Sequence, residues 1–269
     1  PMTYEVVESA IQKSIDNIFP ESMLEAGKVI DVLHFHWWNW SDTRYVEALI
    51  HLSTLQSKGM IKHISLTNFD AAHVRIVIAS GLLVLWNQVH CSLLDNRSGG
   101  VMTRTCMSLS ALQTEPCKLV VYGALAGGLL TDKWLDVQEP TQMTEESNTW
   151  MECKYKRFID AWGGWELFQE LLRVLRNIAN EFNQMQEVEE EGSELEEEDV
   201  LNIANIALKW VEMLPHVSAV IVGARLGENN HIVDNQSIFT FDLSAEHLES
   251  IDRVLNRAAT FPHADCGDE

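Results

Sequence analysis

Apolar residues first recur at helical spacing at Val6, Ile11, Ile15 and Ile18, which predicts an amphipathic helix over Pro1 to Ile18. The nearly continuous apolar run from Val29 to Phe35 then predicts a short buried strand. A helix over Thr43 to Ser57 is stopped by Lys58 and Gly59, a strand follows at Ile61 to Leu66, and Asp70 N-caps a helix that ends at Gly81. The same alternation continues with a strand at Leu83 to Val89, a helix at Met102 to Leu112 and a strand at Lys118 to Tyr122. From Gly123 to Gly164 there are tryptophans but little periodicity, which predicts a long covering loop. Beyond it the pattern gives a helix at Trp165 to Phe182, a helix at Val200 to Leu214, a strand at Ala219 to Val222 and a helix capped by Ser244 that runs to Ala259.

Strands separated by helices need right-handed crossovers and a parallel sheet covered by helices, hence a barrel or a doubly wound open sheet. Five strands do not close a barrel of eight. Because the chain opens on a helix, a single partial (β/α)₈ barrel domain over 1–269, with its first three strand–helix units upstream, is the expected architecture. Glutamate dominates the stretch from Gln186 to Asp199, which is too polar to bury a core and is expected to be a solvated, disordered insertion.

The chain has 269 residues, 46% of them hydrophobic, which is enough apolar side chain for a sizeable core. A net charge of −21 argues against nucleic acid or an anionic membrane surface as partner. The five cysteines form no CxxC pair, so neither a zinc knuckle nor a disulfide scaffold is indicated, and a reducing, cytoplasmic setting is expected. No apolar run reaches the length of a bilayer span.

Several segments, in one order along the chain, resemble those of the aldo-keto reductases. Ile30 to Trp37 resembles that family's fourth strand ending in His-Trp, and Gly59 to Phe69 resembles its GKI-x-x-IGVSNF segment. Trp86 to His90 is similar to NQVE, Val121 to Leu130 to AYSPLAGGLL, and Ala219 to Arg225 to the strand and turn that reach the adenosine phosphate. The resemblance spans residues 3 to 258. It implies hydride transfer between NADP(H) and a small carbonyl substrate, with a tyrosine acid tuned by a lysine and an aspartate.

By that resemblance His36 is the histidine that orients the carbonyl, at the carboxyl end of a strand, where barrel enzymes place their sites. Thr67, Asn68 and Gln88 stand where the family holds the nicotinamide carboxamide, and Tyr122 where a ring stacks on the nicotinamide face. Gly123, Leu125, Gly127 and Gly128 match a loop whose backbone N–H groups approach the pyrophosphate. Gly223 and Arg225 match the turn at the 2′-phosphate, a guanidinium suiting phosphate oxygens, and Asn235 matches an adenine contact. No residue matches the family's aspartate, tyrosine and lysine; Tyr4, Tyr45 and Lys28 fall in helix or loop patterns.

Two other readings stay open. A chain with this gap can bind NADP(H) or a protein partner without turnover, and an unclosed barrel exposes apolar surface that favours self-association. Alternatively His34 and His36 form an HxH pair of the kind that binds a catalytic metal in barrel hydrolases, with His90 the one plausible further ligand and His63 mid-strand.

Overall fold

A computed structural model of the chain describes residues 2–109, 116–140, 150–189, 200–223 and 231–259. Their strands form one five-stranded sheet in the sequence order β1 (Ile30–His36), β2 (Ile61–Thr67), β3 (Trp86–His90), β4 (Lys118–Tyr122) and β5 (Val217–Ile221). The pairs β1–β2 and β2–β3 are parallel, so an α/β fold with crossover helices is what the alternation produces. The chain divides into two compact units, one of 2–89 with the described residues of 100–120, the other of 90–99 with those from 121 to 259.

In the first unit α1 (Tyr4–Ile18) buries Val7, Ile11 and Ile15. That stripe differs from the predicted one, because Val6 and Ile18 are exposed. Spacing of four residues keeps the three buried side chains on one helical face. The next helix, α2 (Tyr45–Ser57), packs Ala48, Leu49, Leu52 and Leu55 inward and ends at Gly59, whose φ of +79° only glycine adopts without strain. Met60 N–H donates back to the Leu55 carbonyl at 3.1 Å, closing the helix and feeding β2.

Asp70 caps α3 (Ala71–Ala79) as predicted: its carboxylate accepts the His73 backbone N–H at 2.7 Å. Asp70→Ala is expected to cost about 1 kcal/mol, measured as a lower urea midpoint with an unchanged slope. The predicted strand from Leu83 begins only at Trp86. Ahead of it Leu85 is tied singly on each side, donating to the Ile64 carbonyl and accepting from Lys118 N–H, while Leu83 is exposed. Val101 to Leu109 form α4.

The second unit holds the main correction. The predicted loop over Gly123 to Gly164 contains two short 3₁₀ turns, Ala126–Gly128 and Asp132–Trp134, and a full helix, α5 (Trp150–Trp162). Its apolar stripe of Tyr155, Ile159 and Trp162 is three residues long and interleaved with lysine and arginine, which blurs the period. The next helix, α6 (Gly164–Glu189), extends beyond Phe182 and takes in the first four residues of the acidic run. The remainder of that run, 190–199, lies outside the described residues.

Phe168, Leu171, Leu172 and Leu175 of α6 are fully buried and form the unit's core with α7 (Ile203–Glu212) and α9 (Ala245–Leu255). Each such side chain contributes about 2 kcal/mol of transfer free energy. Asn202 and Asn205 make a reciprocal capping box at the start of α7, and Ser244 caps α9. A five-residue helix, α8 (Ile232–Gln236), was not legible in the pattern. Among the described residues no helix is long and apolar enough to cross a membrane.

Candidate functional site

Three of the residues singled out by sequence lie side by side, two at the carboxyl ends of β1 and β2 and the third at the middle of β3. The register places His36 opposite Thr67 and Thr67 opposite Gln88. The Thr67 hydroxyl donates to the Gln88 amide oxygen at a long 3.4 Å, and the Asn68 backbone N–H donates to the Gln88 carbonyl at 2.9 Å. Asn68 has φ of +56°, a left-handed conformation that asparagine tolerates better than most residues, and it is buried. His36 is exposed, with its ring edge-on to Trp38 at 5.6 Å. Asn87, between Trp86 and Gln88, is buried, and its amide nitrogen donates to the Phe69 carbonyl at 2.8 Å while its amide oxygen accepts no hydrogen bond.

His34 Nδ1 is 3.0 Å from the Ser65 hydroxyl, and His63 packs edge-on to Trp86. Among the described residues no group of three or more His, Cys, Asp or Glu side chains is placed to hold a metal ion.

In the second unit, Leu125, Gly128, Gly223 and Asn235 line one cavity of about 540 Å³. That volume is in the range of small-molecule sites. Gly128 has φ of +94°, and a Cβ added there would meet nothing within 4 Å, so its bare backbone faces open space. Gly123 and Gly127 behave differently. A Cβ on Gly123 would sit 2.5 Å from the His90 ring and 2.7 Å from the Tyr155 hydroxyl, and one on Gly127 would sit 2.8 Å from the Tyr155 ring. These two glycines make room for α5. Tyr122 is half-buried with its ring edge-on to His90 at 5.5 Å. Arg225 lies outside the described residues.

Sequence reasoning missed most of the cavity's polar lining, which comes from Asp132, Lys133, Glu152, Asn202, Asn205 and Asp234 among others. The one available signal was the Asn202-x-x-Asn205 spacing at a helix start. Each carboxylate already has a cation or donor. Lys133 pairs with Glu152 at 2.8 Å, Asp132 with Arg176 and with the Ile203 backbone N–H at 3.0 Å, and Asp234 with His231 at 3.1 Å. The lining itself is net negative, three carboxylates against the one ammonium of Lys133, with the Asn205 amide already bound to the Asp234 carbonyl at 2.6 Å. Ribose hydroxyls suit such carboxylates, whereas a diphosphate would have to meet the bare glycine segment and the amides of Asn202 and Asn235, away from the acidic side chains.

Behind the loop, Asp95 is 1% exposed and accepts two hydrogen bonds from the Arg97 guanidinium, at 2.8 and 2.7 Å. Burial pushes its carboxyl up, but the His90 imidazole beside it and the hydrogen bonds from Arg97 outweigh that and hold it down at about 2.

Residues 2–256 match the model of the Aldo/keto reductase family. The chain is also similar to a solved glycerol dehydrogenase of Gluconobacter oxydans, at 18% identity and a TM-score of 0.62, covering 98% of this chain and 67% of that one. A solved aldo-keto reductase of Bacillus halodurans in its holo form gives 13% identity and a TM-score of 0.62, covering 98% and 71%. Among curated proteins none matches the sequence.

Proposed function

Because the chain belongs to the aldo/keto reductase family, we propose that it is an NADP(H)-binding protein of the carbonyl oxidoreductase type, folded as the later part of the family's barrel in one domain. What supports the cofactor reading is that Leu125, Gly128, Gly223 and Asn235, each singled out from sequence alone, line a single cavity. In that reading Gly128 and the amides of Asn202 and Asn235 hold the diphosphate and adenosine end. Arg225 meets the 2′-phosphate of NADP(H), and Tyr122 with the seats at Gly123 and Gly127 shapes the loop. Thr67, Asn68 and Gln88 are the candidates for the nicotinamide amide. The bound nicotinamide supplies the hydride.

His36, exposed at a strand's carboxyl end, donates a hydrogen bond to the carbonyl oxygen of a small aldehyde or ketone and orients it. No residue matches the family's acid and its tuning pair. That gap favours a second reading, in which the chain binds dinucleotide with little or no turnover. Mixing the chain with NADPH and a model aldehyde separates the two. Cofactor absorbance is expected to fall slowly or not at all, whereas turnover near an ordinary about 10 s⁻¹ would mean that other residues supply the proton.

A further inference from the structure

Tyr155 sits on α5 almost one turn beyond Glu152, which lines the cavity, and is itself 1% exposed. Its hydroxyl lies 2.9 Å from His90 Nε2, at the end of β3. On the other side of the ring, His90 Nδ1 is 3.2 Å from Asp95 Oδ2, the same carboxylate that Arg97 grips, a charge contact in which the ring nitrogen is not aligned for a hydrogen bond. A carboxylate this close to Nδ1 favours the tautomer with its proton there, since a nitrogen lone pair beside a negative oxygen is repelled and an N–H is attracted. Nε2 is then an acceptor, and the Tyr155 O–H must donate to it. Tyr155 is thus tied to His90 by a hydrogen bond, and His90 to Asp95 by charge, with Arg97 holding the carboxylate in place.

The rings reinforce it. Tyr155 stacks on His90 at 5.5 Å and 24°, and Tyr122 meets the same imidazole edge-on at 5.5 Å and 78°. Gly123 and Gly127 leave no room for a Cβ because His90 and Tyr155 occupy it. The segment from Tyr122 to Gly128 is therefore moulded on this cluster, and it carries Leu125 and Gly128 to the cavity.

Resting on the dinucleotide reading above, we infer that Tyr155, His90 and Asp95 are positioning residues of the cavity. They touch no ligand, and fix the loop that forms its wall. Imidazole nitrogen NMR of the wild-type chain should show His90 with its proton on Nδ1. Tyr155→Phe keeps the ring and removes only the donor. Its melting temperature should stay within a few degrees of wild type, since one hydrogen bond is a small share of the total. Amide exchange over 123–128 should quicken by about ten-fold, and NADPH should bind about ten-fold more weakly. Asp95→Asn should loosen the tautomer preference of His90, a change that simple loss of packing does not produce. Should Tyr155→Phe upset folding, His90→Asn is read by the same loop exchange. Unchanged exchange over 123–128 in a folded variant, or a wild-type His90 protonated on Nε2 alone, would overturn the inference. Quicker loop exchange in a chain that binds no dinucleotide would sustain it and remove only the cofactor reading.

Discussion

Gly123→Ala should destabilise the chain by about 3 kcal/mol, the sum of a left-handed penalty of about 1–2 kcal/mol and an overpacking penalty of about 1–3 kcal/mol. The backbone there has φ of +76°, and the new methyl would press against His90 and Tyr155 at 2.5 and 2.7 Å. Neither can yield cheaply, because Tyr155 is buried and the two are bonded to each other. Gly128→Ala is the control. It shares the positive φ but meets no atom within 4 Å, so it should cost only the about 1–2 kcal/mol of backbone strain. Urea unfolding of both variants measures the difference. Equal losses would mean that the close approach of α5 contributes nothing.

The second large effect is expected at Asp95. Asp95→Ala strips the Arg97 guanidinium, most of it buried, of its paired carboxylate, and breaking such a pair costs about 3–5 kcal/mol. The same carboxylate gives a pH signature. Its pKa is about 2 in the folded chain against 3.8 for the ordinary group, so protons bind the unfolded state more readily. The stabilisation is complete above about pH 4 and disappears as pH falls toward 2. It amounts to about 2 kcal/mol. A wild-type chain should therefore lose stability across that window, and the variant should lose less. Parallel losses in both proteins would place the acid sensitivity at other carboxylates.

Much of the architecture was legible because period and punctuation agree. The caps at Asp70 and Ser244, the stop at Gly59 and the strand at Lys118–Tyr122 are local signals with local causes. What stayed hidden depends on tertiary contact. The buried stripe of α5 is short and crowded by lysines, so its helix is hidden in a stretch whose Trp134 packs edge-on against Trp165 of α6. Gly123 and Gly127 read from sequence as an approach for phosphate, and nothing in that pattern shows that side chains of His90 and Tyr155 also press against them. The cavity's acidic side chains carry no motif. Asp132 is recognisable only through the Arg176 and Ile203 groups it binds, which lie far along the chain. His90 offers the same lesson: its sequence neighbours say nothing of the tyrosine 65 positions later that fixes its role.

The claim on which the rest depends is that the cavity behind Leu125 and Gly128 holds a dinucleotide. Titrating the purified chain with NADPH, read by cofactor fluorescence and by calorimetry, addresses it directly. Saturable one-to-one binding in the micromolar range, about −8 kcal/mol, displaced by NADP⁺ and weakened by Gly128→Val, is the predicted result. A titration that stays linear to millimolar NADPH, with Gly128→Val indistinguishable from wild type, would contradict it.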